Sequence, residues 1–214
     1  MHRRLATILA LAATLGLANQ APAQTATAVF SGGCFWGIEG VFEHVKGVVS
    51  ATAGYAGGTA ESPSYEEVSS GTTGHAESVR VVYDPSQVTY QQLLAVFFTV
   101  AHDPTQLNRQ GPDVGTQYRS IVFYGDSAQK QTIDAYIAKL TAAKTFKAPI
   151  VTQVAPLGTF YPAEAYHQHY MEQHPYSPYI VYNDAPKVEN LKTTFPGAFR
   201  AEPVTVAQAK KAGG

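Results

Sequence analysis

The sequence predicts one α+β domain: a two-layer split βαβ (ferredoxin-like) plait with a mostly antiparallel sheet and extra C-terminal helices. Three observations carry that prediction. Apolar spacing alternates between the strand period of two and the helix period near 3.6, in the order β-α-β-β-α-β followed by α-β-α. No internal repeat or low-complexity tract interrupts this order. The 214 residues, 45% hydrophobic and 14% charged, suit one ordinary domain that buries a real core.

The first 23 residues stand apart. A basic start at Arg3 and Arg4, an apolar run from Leu5 to Leu17 and the ending Ala21-Pro22-Ala23 read as a secretory signal peptide, too short in its apolar part for a comfortable membrane span. Cleavage after Ala23 is expected, with an uncleaved anchor as the alternative. The division is then 1–23 signal peptide, 24–200 single catalytic domain and 201–214 irregular tail. Loss of Arg3 and Arg4 leaves 13 basic residues against 16 acidic ones, a formal charge of −3. With no basic run and no cationic amphipathic helix, neither nucleic acid nor a lipid surface is an expected partner.

Along the mature chain, "TATAVFSGG" reads as a buried strand closed by glycine. A helix follows from Cys34 to about His44, with Ile38, Val41, Phe42 and Val45 on one face. "KGVVSATAGYAGG" is a second strand and "TAESPSYEEVSSGTTG" a loop. In "HAESVRVVYDP", Glu77, Val79, Val81 and Tyr83 alternate with Ser78 and Arg80, the signature of a strand with one buried face. Thr89 and Gln92 form a capping box for a helix carrying Leu93, Leu94, Phe97, Phe98 and Ala101. The loop "HDPTQLNRQGPDVGTQ" leads into the strand "YRSIVFYG" and a helix from about Ala128 to Ala143. "APIVTQVAPLG" is a further strand, "AEAYHQHYMEQH" a last helix, and the remainder an irregular tail.

Cys34 is the single cysteine, so no internal disulfide can form, and an unpaired thiol in an exported chain points to reactivity. Its predicted place is the first turn of a helix, where free N–H groups and the helix dipole favour a thiolate. Gly32 and Gly33 permit a sharp turn that leaves the sulfur approachable, and Phe35 and Trp36 can wall an apolar pocket. A buried structural cysteine is the bland alternative. Glu77 falls on the apolar face of its strand, where the neutral carboxyl is favoured and a general acid becomes available; pairing with Arg80 or Arg119 is the competing reading. Tyr65 and Tyr118 can supply O–H donors, and Asp113 between Gly111 and Gly115 reads equally as a turn former. Glu164 and His167 make half of a carboxylate-bridged metal motif. The second half is missing and His169 falls on another side of the predicted helix, so no metal centre is expected. A Cys–His hydrolase stays open, because its base need only be near in space.

In this order, "GCFWG", "GYAGG", "SGTTGHAESVRVVYDP", "HDP" and "GTQYRS" resemble the A-type peptide methionine sulfoxide reductases, from about Ala28 to Phe199. The resemblance implies that Cys34 attacks the sulfur of methionine S-sulfoxide and that Glu77 protonates its oxygen. It implies further that Tyr65 and Tyr118 hydrogen-bond that oxygen, Phe35 and Trp36 cradle the methyl group, and Asp113 holds the substrate backbone. No cofactor is implied, only an external thiol such as a thioredoxin-like protein. Three departures are visible. The tail "AQAKKAGG" lacks resolving cysteines, Ser69 stands where relatives often carry cysteine, and Pro112 precedes Asp113. The expectation is an exported, periplasmic enzyme acting as a monomer on oxidised proteins and free methionine sulfoxide. A cysteine hydrolase or transferase and a non-catalytic envelope binding module are the alternatives.

Overall fold

The structure, a computed structural model, describes residues 24–59, 61 and 63–205. The expected signal peptide and residues 206–214 of the expected tail lie outside the described residues. Among the described residues, eight strands and six α-helices follow in order: β1 (Ala26–Ser31), α1 (Phe35–Glu43), β2 (Val48–Ala56), α2 (Tyr65–Ser69), β3 (Ala76–Tyr83), α3 (Tyr90–Val96), β4 (Arg109–Gln110), β5 (Asp113–Val114), β6 (Ile121–Tyr124), α4 (Ser127–Ala142), β7 (Gln153–Pro156), β8 (Tyr161–Pro162), α5 (Tyr170–Gln173) and α6 (Ala185–Thr194).

The main sheet has the order β7-β6-β1-β3-β2-β8. Every neighbouring pair is antiparallel except β6 with β7. The result is a mixed α+β fold with a mostly antiparallel sheet. β1 lies between β3 and β6, so both edges of "AVF" are hydrogen-bonded and Ala28, Val29 and Phe30 are buried. Phe30 stacks on Phe42 of α1 at 5.0 Å and on Phe97 at 4.8 Å, tying sheet to helices. Burial of each such side chain contributes on the order of 1.5–3 kcal/mol.

α1 is buried nearly all round, with Trp36 the one half-buried residue of its nine. Such a helix must carry its polar residues inward, and Glu39 and Glu43 are both buried. Glu39 accepts hydrogen bonds from the backbone N–H groups of Ala53 and His169, and Glu43 meets the His169 ring. Their donor atoms lie within 4.8 Å of one another.

Several expected elements differ. The helix expected over 163–174 is instead a 3₁₀ turn at Ala165–His167, a left-handed His169 with φ of 55°, and the single turn of α5. The Glu39 carboxyl accepts from the His169 N–H and the His167 ring accepts from Trp36, so the break at His169 is held by contacts outside the segment, where a continuous helix would bond that N–H to its own backbone. The expected loop after β2 contains α2, capped by Ser64 and Glu67. The expected irregular tail contains α6, with proline in its first turn. The helix from Thr89 does start on the expected capping box, but it ends in a π-helical turn, Phe97–Ala101, which sends the adjacent rings of Phe97 and Phe98 both inward.

Candidate active site

β1 delivers the chain to α1 through Ser31-Gly32-Gly33-Cys34. Gly33 has φ of +105°, open to glycine at no strain, and a Cβ there would fall 2.6 Å from the Gln110 side chain. Cys34 takes the N-cap position of α1. The backbone N–H of Phe35 donates to the Glu77 carboxyl at 3.0 Å. The glutamate from β3 and the cysteine before α1 therefore meet at one helix N-terminus.

Cys34, Phe35, Trp36, Tyr65, Glu77, Asp113 and Tyr118 all line one cleft of about 360 Å³. Tyr65 is brought in by the first turn of α2, whose entry is held by Glu164. That carboxylate accepts from the Tyr65 N–H and the Tyr55 O–H, both at 2.8 Å. Glu164, weighed above as half a metal motif, thus works as a clamp between β2 and α2. Tyr118 follows Gly115, whose φ of 144° turns the chain out of the β4–β5 hairpin. Asp113 sits on β5 and accepts a hydrogen bond from the Tyr179 hydroxyl, so it is no mere turn former.

Three lining residues were not singled out in the sequence: Tyr170, Ser177 and Tyr179. Tyr170 stacks on Trp36 with ring centres 3.7 Å apart and an interplanar angle of 9°. Tyr179 meets the indole edge-on, and Trp36 Nε1–H donates to His167 Nδ1 at 3.1 Å. With 13 tyrosines in the chain, no spacing marks these two out. Two other concavities, beside Lys144–Ile150 and along the outer face of α4, are lined by neither a thiol nor a carboxylate.

The electrostatics correct one expectation. An ionised thiol was anticipated from the helix terminus, but burial pushes the Cys34 thiol well above its ordinary value, and the neighbouring Glu77 and Asp184 carboxylates push it further. The Trp36 N–H and the Lys187 ammonium pull the other way without prevailing. The substrate-free sulfur therefore carries its proton near neutral pH. Glu77 is 2% exposed, and burial raises its pKa to about 8 against the restraint of the Phe35 N–H, with Asp113 and Asp184 adding to the rise. It too carries a proton near neutrality.

This raised value has a consequence for stability. The folded chain holds the Glu77 proton more tightly than the unfolded chain, whose carboxyl titrates near 4.5. Its contribution is complete below that value and is lost as pH rises toward about 8. Glu77→Gln, which keeps an acceptor for the Phe35 N–H, is therefore expected to raise the Tm relative to the parent chain more at pH 9 than at pH 5. Thermal unfolding at both pH values checks this; an equal difference at both would contradict it.

A thiol and a protonated carboxyl share one cleft with two phenols and an aromatic wall, an arrangement of the class found in cysteine-dependent enzymes. The profile of the family described as peptide methionine sulfoxide reductase matches residues 26–198. "Peptide methionine sulfoxide reductase MsrA 2" of Mesorhizobium japonicum is 58% identical over 183 residues, covering 86% of this chain and 94% of the relative. The corresponding MsrA of Natronomonas pharaonis is 54% identical over 171 residues, covering 80% and 96%. Among solved structures, methionine sulfoxide reductase A of Corynebacterium diphtheriae matches with a TM-score of 0.63 at 39% identity, covering 78% of this chain and 83% of that one. Reduced Mxr1 of Saccharomyces cerevisiae matches with a TM-score of 0.66 at 34% identity, covering 73% and 90%. The chain belongs to the peptide methionine sulfoxide reductase family.

Proposed function

We propose that this cleft reduces methionine S-sulfoxide, peptide-bound and free, to methionine, with Cys34 as nucleophile and Glu77 as general acid. The observation that carries the reading is the Glu77 carboxyl held on the Phe35 N–H, one residue from the sulfur and buried enough to keep its proton. A sulfoxide oxygen leaves poorly until protonated, and an acid near neutrality is matched to that task. Tyr65 and Tyr118, both with pKa values raised chiefly by burial, remain neutral O–H donors to the same oxygen. Phe35 and Trp36 receive the methyl group, and Asp113 holds the substrate backbone.

Glu77 gives its proton to the sulfoxide oxygen while the Cys34 sulfur attacks the substrate sulfur, and the Cys34 thiol proton restores Glu77. The substrate sulfur gains an electron pair and leaves as the thioether. Cys34 loses that pair and keeps the hydroxyl as a sulfenic acid. One external thiol then displaces water to form a mixed disulfide and a second releases Cys34. Because the chain has one cysteine, both thiols come from outside, from a thioredoxin-like protein or a small dithiol.

The same reading includes a monomer, exported to the periplasm after loss of residues 1–23, with one catalytic domain over 24–200. It also takes the β6-β1-β3-β2 portion of the sheet, with α1 and α3 as crossovers, as a ferredoxin-like plait. A hydrolase would need a histidine beside the sulfur, and none of the residues lining the cleft is a histidine.

Racemic methionine sulfoxide with dithiothreitol tests the function. Consumption of the S epimer alone is expected, and an untouched mixture leaves a binding module. Trp36→Ala is expected to raise KM about 10-fold or more with a smaller change in kcat, from the roughly 1.5–3 kcal/mol that contact with a large apolar side chain supplies. Steady-state kinetics on a methionine-sulfoxide peptide reads this, and an unaltered KM would remove Trp36 from the pocket wall.

A further inference from the structure

Gly37 closes the GCFWG motif, and its lack of a side chain has a definite use. It stands in α1 three residues after Cys34, one turn along the helix. A Cβ there would lie 2.1 Å from Asp184 Oδ1 and 2.8 Å from Lys187 Nζ, so no larger residue fits. The notch is filled by an ion pair: Lys187 Nζ of α6 reaches Asp184 Oδ1 at 3.0 Å. Asp184 is fully buried, and its Oδ2 has no hydrogen-bond partner among the described residues. Burying a carboxylate with one oxygen unpartnered is costly, and the same space could hold an apolar residue. Nothing in the mechanism above uses it.

We propose that the Asp184–Lys187 pair, seated in the notch of Gly37 one turn from Cys34, is the electrostatic support of the reaction, a buried charge pair that acts on both Cys34 and Glu77 until substrate enters. The proposal rests on the roles assigned to those two residues under the proposed function. Asp184 and Lys187 touch no substrate in it; they are positioning residues that act through their field on the turn bearing the sulfur. The charges facing Cys34 are Glu77 from β3, Asp184, and Lys187 from α6. Those facing Glu77 are Asp113 from β5 and Asp184, and those facing Asp184 are Lys187 and Asp113, with the Tyr179 hydroxyl feeling both acids. Asp184 is thus the acid that bears on both reacting groups from behind the cleft, and in each case it favours the protonated form. Burial raises the Asp184 pKa, the ion pair with Lys187 opposes that rise in favour of the carboxylate, and Lys187 partly offsets Asp184 at the sulfur. The arrangement suits a thiol that must survive oxidants when idle and an acid that must stay loaded at neutral pH.

The test is the pH dependence of Cys34 alkylation by iodoacetamide in the full chain, which reads the thiolate directly and needs no turnover. A failure here is therefore distinct from a failure of the proposed activity. Asp184→Asn preserves shape and removes the charge: the alkylation midpoint is expected to move to lower pH, with several-fold faster modification at pH 7. Its alkaline limb of kcat is expected to move to lower pH as well, as Glu77 loses the neighbour that helps retain its proton. Asp184→Asn/Lys187→Met is expected to have a midpoint above that of Asp184→Asn, because the unopposed ammonium is gone. A role confined to packing would leave all midpoints together, and that result, or an upward shift in Asp184→Asn, overturns the proposal. Should Asp184→Asn fail to fold, the carboxyl carbon-13 resonance of Asp184 in the parent chain reports the same coupling. It must inflect at the Cys34 midpoint and lose that inflection in Cys34→Ser; no inflection overturns the proposal equally.

Discussion

Cys34→Ser is expected to abolish turnover, with any residual rate below detection, while the fold and its thermal unfolding stay close to those of the parent chain. The substitution is nearly isosteric at a position with little exposed surface, so packing around Phe35 and Tyr65 is retained. The chemistry is not. The step requires a sulfur that can form a bond to the substrate sulfur, give up an electron pair and hold the transferred hydroxyl, and a serine oxygen does none of these at neutral pH. No second thiol exists in the chain to take over. Turnover is followed by methionine release and folding by near-ultraviolet circular dichroism. A variant that is folded and active would remove Cys34 from the reaction.

Glu77→Gln is expected to lower kcat by roughly 10²–10⁴-fold, the usual scale for loss of a positioned general acid. By the relation of rate to barrier height, that is about 3–5 kcal/mol of transition-state stabilisation. Gln keeps an oxygen for the Phe35 N–H, so the turn that carries Cys34 is preserved and KM is expected to change little. The pH profile gives the sharper reading. The acid must be protonated to act, so activity of the parent chain falls as pH rises through about 8, and that limb disappears in the variant. Near-parental kcat, or an unchanged alkaline limb, would show that another group donates the proton.

The sheet and the paired reacting groups were legible because each rests on a local pattern. The spacing of Glu77, Val79 and Val81 at every second residue places the carboxyl with the two valines, and all three are buried. The Thr89–Gln92 box marks the start of α3 to the residue. What escaped depends on distant partners. Tyr170 and Tyr179 reach the cleft after a left-handed His169 whose N–H is held by Glu39, 130 residues away, a break that the helical spacing does not reveal. α6 is short of apolar residues and leaves one fully buried side chain, Leu191, so its sequence resembles a surface tail. α2 was readable, since Ser64 and Glu67 form the same kind of box as Thr89 and Gln92, yet its five residues gave no periodicity. The protonation of Cys34 could not be read at all from sequence. A helix start favours the thiolate, whereas burial opposes it, and the depth of burial is a property of the assembled site.

The central claim is that one sulfur and one protonated carboxyl transfer a single oxygen atom from substrate to protein. A reductant-free single turnover with excess methionine sulfoxide, resolved by epimer and followed by mass spectrometry, measures that directly. One methionine per chain from the S epimer, none from the R epimer, and one oxygen atom gained at Cys34 are the predicted results. Methionine formed without oxidation of Cys34, or equal use of both epimers, would contradict it.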